Sequence, residues 1–207
     1  KDVDIAHTNL PTNSIPINVA IFPPNVVGER DRSESKTTWS FNTRYNLSDD
    51  VMLFFTSSTG FKSGGFNSRR LPAGAQVEFE EETSLTFEGG IKSFFFDRTV
   101  MLNMTAFHTT VEDFQESTLA PTGTGFIVGN AGEQEVKGVE ADFTWAPIDN
   151  LQVNGSFAYL DSEYTDFDNA QCAAGQAPTN ANGTCDRTGE RPSFAPEYQF
   201  TIGAQWT

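Results

Sequence analysis

The side chains able to do covalent chemistry are sparse and poorly spaced for it. His7 and His108 are the chain's two histidines, and neither sits in a GxSxG, HExxH or comparable pattern that would pair a nucleophile or a metal with a base. No catalytic residue is assigned, and a protease or lipase is a poor fit. Cys172 and Cys185 are the two thiols, within the polar stretch QCAAGQAPTNANGTC. Two cysteines there do not make a tetrahedral zinc site. They suit a disulfide closing a loop in an oxidising compartment such as the periplasm, worth on the order of 3 kcal/mol in the chain-entropy model. No metal set and no cofactor is expected. The run Gly60, Phe61, Lys62, Ser63, Gly64, Gly65, Phe66 and Asn67 is glycine-rich and holds a lysine, but it lacks GxxxxGK[ST] spacing and does not cradle phosphate. Arg69 and Arg70 come just after it, and paired guanidinium groups suit a carboxylate-bearing or otherwise anionic ligand.

Composition limits what can position these groups. The chain is 37% hydrophobic and 20% charged, which fits neither a disordered chain nor a helical membrane protein. No apolar run approaches the roughly 18–20 residues a transmembrane helix needs. The longest, IPINVAIFPPNVV, is broken by Pro16, Pro23 and Pro24. Acids outnumber bases 28 to 13, a net charge of −15, so nucleic acid is excluded as a partner. Many acids gather in runs: Glu78 and Glu80–Glu82, then Glu112, Asp113 and Glu116, then Asp161, Glu163, Asp166 and Asp168. Such runs form solvated loops, bridge divalent cations to anionic lipid head groups, or receive a cationic ligand.

Residues 1–35 show no sustained period and read as an extracellular loop or an irregular entry segment. From residue 36 onward the chain alternates apolar and polar residues in seven stretches: 39–47, about 51–61, 83–94, 99–111, 136–146, 150–162 and 194–207. Short polar turns at 48–50, 95–98 and 147–150 join them on one side, and long polar connections join them on the other. Several stretches reach the roughly 9–11 residues needed to cross a bilayer as tilted strands, longer than the usual sandwich strand. Tyr45, Trp145 and Trp206 fall at the short-turn edge, and Trp39, Tyr159 and Tyr198 at the opposite edge. Two aromatic belts around an apolar band predict an antiparallel up-and-down transmembrane β-barrel, with a soluble β-sandwich as the rival. The polar parity carries Arg44, Glu88, Lys92, Glu140 and Asp142, which must face the lumen. His108 falls on the apolar parity near the outer interface. Seven strands leave two open edges, which lipid does not tolerate, so a larger barrel is expected.

The segments LSDDVMLFFTSSTGFKSGGFN, FEGGIKSFFFDRTVMLNMTAFHTTVEDFQES, VGNAGEQEVKGVEADFTWAP and LQVNGSFAYLDSEYTDF resemble, in order and spacing, the barrel of TonB-dependent outer-membrane receptors over about residues 36–207. GFKSGGFN together with NAG followed by GVE carries most of the likeness. The resemblance implies a 22-stranded barrel with an N-terminal plug, in the bacterial outer membrane among lipid and lipopolysaccharide. It implies uptake of a scarce nutrient such as a ferric siderophore, driven by the TonB complex through the N-terminal region. Neither a plug nor an aromatic-ending final strand is recognisable in this sequence. Within that family Gly60–Asn67, with Arg69 and Arg70, is expected to touch the plug or the ligand, and the lumen charges to meet one another, water or the plug. A passive porin is the alternative that shares the same alternation.

Overall fold

The computed structural model describes residues 30–67, 77–119, 126–172, 175–181 and 183–207; His7, Arg69, Arg70 and residues 1–29 lie outside them. Among the described residues eleven strands occur: β1 (Ser40–Ser48), β2 (Val51–Lys62), β3 (Gly65–Phe66), β4 (Glu78–Phe79), β5 (Glu82–Phe95), β6 (Val100–Glu112), β7 (Gln115–Leu119), β8 (Phe126–Asn130), β9 (Glu133–Ile148), β10 (Leu151–Asp166) and β11 (Tyr198–Trp206). Seven of them form one antiparallel sheet in the order β1-β2-β5-β6-β9-β10-β11. These are the seven alternating stretches, and sequence neighbours pair throughout. At 9 to 16 residues each is long enough to span a bilayer at a tilt.

Two differences from the sequence reading stand out. Two extra ribbons, β3 with β4 and β7 with β8, rise from the long-connection side. The last strand opens at Tyr198 rather than at 194, because Pro192 and Pro196 have no N–H to give a ladder and Phe194 has a left-handed φ of 64°.

Register places the apolar residues in continuous rows. Tyr45, Leu53, Ile91, Met104, Ala141, Phe157 and Phe200 lie side by side across all seven strands. Their large side chains are partly or well exposed, Phe200 at 80%, as suits a face whose solvent is hydrocarbon. The band is oblique to these rows. Tyr198, the outermost aromatic of β11, shares a row with Thr43 of β1, yet on the β1 side apolar residues continue to Phe41 and Trp39. At the other rim the band reaches Trp206 on β11 but stops near Leu47 and Val51. A drift of about four residues over six strand spacings is an inclination of roughly 25°, approaching the tilt of about 35–45° in membrane barrels.

Three cross-strand glycines let the sheet pack rings flat against itself. Phe54 faces Gly90, Phe107 faces Gly138 and Phe143 faces Gly155; a Cβ at Gly90 or Gly155 would stand 2.5 Å from the ring opposite, and one at Gly138 would stand 2.8 Å away. At the short-turn side Phe96, Asp97 and Arg98 are all left-handed, with φ of 52°, 53° and 66°. This brings Arg98 Nε to Asp50 Oδ1 at 2.7 Å, joining two neighbouring turns.

Candidate functional site

The Gly60–Asn67 run leaves the sheet as expected, but it is held on every side. Gly60, Phe61 and Lys62 end β2, and Lys62 Nζ lies 3.3 Å from Glu82 Oε2. Gly64 N donates to Glu34 Oε2 at 3.0 Å. Gly65 and Phe66 form β3 against β4, where a Cβ at Gly64 would meet the Phe79 carbonyl. Ser63 O accepts from Gln115 Nε2 at 3.1 Å. Asn67 donates through Nδ2 to Val128 O and accepts at Oδ1 from Val128 N, both at 2.8 Å. A cleft of about 300 Å³ remains beside Phe61, Ser63, Gly64, Gly65 and Phe66, closed by Arg32 and Glu34.

Arg32 and Asn130 organise this region without being among the expected site residues. The Arg32 guanidinium is 14% exposed and touches Glu34, Glu78 at 2.7 Å and Glu80 at 2.7 Å. Its hydrogen bond to Glu80, more than those to Glu34 and Glu78, raises its pKa above the ordinary arginine value. The same bond draws the Glu80 carboxyl below the usual carboxylate range. Asn130 accepts at Oδ1 from Glu80 N at 2.7 Å and donates through Nδ2 to Glu80 O at 3.0 Å and Asp113 O at 2.8 Å. The one sequence signal for Asn130 is its place in the NAG of the family-like segments.

The five charges assigned to the lumen share one face, the face opposite the apolar rows. Lys92, Asn103 and Asp142 are adjacent in register; Asn103 Nδ2 donates to Asp142 Oδ2 at 2.8 Å, and Lys92 Nζ lies 5.9 Å above the Phe54 ring. Arg44 and Glu140 lie on β1 and β9, with β2, β5 and β6 between them. Arg44, Glu88 and Glu140 have no side-chain hydrogen bond or ion pair among the described residues. The sheet pairs none of these five charges with another of them.

His108 lies on the apolar face just beyond the band, with Nε2 at 3.1 Å from Glu135 Oε2; Glu135 also holds Lys137 at 2.9 Å. No group of three or more His, Cys, Asp or Glu side chains among the described residues is arranged to hold a metal ion. Cys172 and Cys185 are joined, with their Cα atoms 5.0 Å apart. Cys185 is fully buried, and Ala131, Tyr164, Phe167 and Ala170 make a small core beside it under the β10–β11 connection.

The model of the TonB dependent receptor-like β-barrel matches residues 8–207. The metal-pseudopaline receptor of Pseudomonas aeruginosa is 27% identical over 144 residues, 68% of this chain and 19% of that protein. The vitamin B12 transporter of Vibrio vulnificus is 27% identical over 128 residues, 60% of this chain and 20% of that protein. The chain thus spans about a fifth of the length of these relatives. Among solved structures, the ferric yersiniabactin uptake receptor of Yersinia pestis superposes with a TM-score of 0.61 at 21% identity, over 86% of this chain and 23% of that one. The ferric-catecholate import receptor of E. coli gives 0.60 at 20% identity, over 99% and 27%. With its sequential antiparallel order, oblique apolar band and opposed charged face, the chain belongs to the TonB-dependent receptor β-barrel family of the bacterial outer membrane.

Proposed function

We propose that this chain is part of the wall of an active importer of a scarce nutrient, most strongly a ferric siderophore, powered through TonB. Residues 36–207 supply wall strands, and residues 1–35 lead into them as an outer loop. The observation that carries the reading is the family match over residues 8–207; in keeping with it, Arg44 and Glu140 are exposed and Glu88 is partly exposed on the lumen face, unpaired by the sheet and open to water or to a polar body inside the barrel. A plug domain elsewhere in the full-length protein would provide it, meeting Arg44, Glu88, Lys92, Glu140 and Asp142. Gly60–Asn67, with Arg69 and Arg70 beyond it, faces the ligand or the plug at the outer mouth, and the paired arginines suit carboxylate-bearing chelates. His108, Glu135 and Lys137, just outside the band, lie at the level of lipopolysaccharide head groups.

The preference for ferric siderophores follows the two solved structures above, which are receptors for iron chelates; it is an analogy of family rather than of site. Cells carrying the full-length gene should take up labelled ferric siderophore only when the inner-membrane energy complex is present. Uptake that survives loss of that complex would identify a passive channel. Energy-dependent uptake of cobalamin, with none of ferric siderophore, would replace the ligand.

A further inference from the structure

The β3–β4 ribbon has two residue pairs, Gly65 with Phe79 and Phe66 with Glu78. That is far too little to hold a ribbon in water. One more main-chain bond, Asn67 N to Val77 O at 2.7 Å, extends it, and much of its remaining support comes from the neighbouring ribbon. An asparagine amide offers a donor and an acceptor side by side, as a peptide group does, and so it can dock on a strand edge as another strand would. Asn67, at the end of β3, docks in this way on Val128 of β8, with both bonds at 2.8 Å. Asn130, at the end of β8, docks on Glu80 just past β4, at 2.7 and 3.0 Å. Each ribbon therefore grips the other's main chain. Gln115 of β7 adds bonds to Glu80 O at 2.9 Å and Ser63 O at 3.1 Å. Arg32 carries the connection back to the segment before β1 through Glu78 and Glu80.

We propose that Asn67 and Asn130 are reciprocal latches joining the β3–β4 and β7–β8 ribbons, with the Arg32 segment, into one panel that moves as a unit at the outer mouth of the barrel. The two residues are positioning residues. Each turns both ends of its amide to the main chain of the other ribbon. Within the import reading, on which this consequence rests, a ligand touching either ribbon shifts both.

Hydrogen exchange on the full-length receptor, purified from the outer membrane into lipid nanodiscs, tests the latch without ligand or energy source. Its failure is therefore distinguishable from failure of the import reading. In the unaltered protein the amides of 78–80 and 126–130 should open together. Asn67→Ala, which removes the two bonds to Val128, and Asn130→Ala, which removes the two bonds to Glu80 and one to Asp113 O, should each speed exchange in both ribbons on the order of tenfold, and leave β5, β6 and β9 unchanged. The double variant should be little worse than either single one. Asn67→Asp keeps the shape but loses the donor to Val128 O; it should reproduce the effect should the alanine variant fold poorly. Acceleration confined to Val128 in the Asn67 variants and to Glu80 in the Asn130 variant, or independent opening of the two ribbons, would overturn the proposal.

Discussion

Gly89 and Gly90 are adjacent in β5 and should respond oppositely to the same added methyl group. A Cβ on Gly90 would run into the Met104 carbonyl oxygen and the Phe54 ring, whereas on Gly89 nothing lies closer than 3.9 Å. Gly90→Ala should cost about 1–3 kcal/mol, because main chain must give way. Gly89→Ala should be neutral or slightly stabilising, since it removes chain freedom and adds apolar surface toward lipid. Equilibrium unfolding of the two variants in lipid vesicles separates these outcomes, and equal costs would mean the ring does not lie on Gly90. At the outer mouth the Arg32–Glu80 pair gives a pH dependence. The Glu80 carboxyl is lowered by its bond to Arg32. The stabilisation it adds is present above the ordinary glutamate range and fades as pH falls through the lowered folded value, while Arg32 stays charged. Glu80 is largely exposed, so the effect is small. Protease protection of 30–36 and 78–80 should weaken on acidification below the carboxylate range and hold from there up to neutrality; unchanged protection in acid would count against it.

Strand parity decides which substitutions a wall strand tolerates. Leu102→Arg puts a charge on the apolar face of β6 and should cost about 2–4 kcal/mol near the bilayer midplane. Asn103→Arg, one residue on, should be nearly free, because Asp142 already sits 2.8 Å from the Asn103 amide and would pair with the guanidinium. Equal costs in a folding assay in lipid would signal a sheet buried on both faces. These wall strands were legible because period-two alternation and tight polar turns are local signals; Val139, Ala141, Phe143 and Trp145 on β9 announce their face unaided. The ribbons were not legible. β3 and β4 are two residues each, too short to show a period, and their support is an amide docked on residues far away in the chain. Arg32 and Asn130 escaped for the same reason, as nothing in their flanks marks a partner such as Glu80. Lys92 and Asp142 could be placed on the lumen face by parity, but parity says nothing of whether such charges meet.

Over the whole sheet, depth and register come apart. Phe41 and Lys137 share one row through Ser57, Phe87 and His108, yet the oblique band leaves Phe41 within it and Lys137 above it. Fluorophores on Phe41→Cys and Lys137→Cys in the full-length receptor should therefore differ: nitroxide on the acyl chains should quench the first and spare the second. Equal quenching would make the band follow the rows. The strictly sequential strand order also bears on how the sheet forms. Each of the three tight turns lets two long strands zip from one end, so pairing within those three hairpins is local in sequence and their contact order is low. The β2–β5, β6–β9 and β10–β11 junctions close longer loops, the longest of them at β10–β11, whose strands are separated by the whole stretch from Asp166 to Tyr198. The Cys172–Cys185 link spans 13 positions of that stretch, and bypassing them lowers loop-closure cost by only about 0.4 kcal/mol, less than a factor of three in closing probability. Oxidation thus does little to hasten the docking of β11. Its weight falls on the small outer core around Cys185, which should persist or collapse with the link while the strands beneath it assemble regardless.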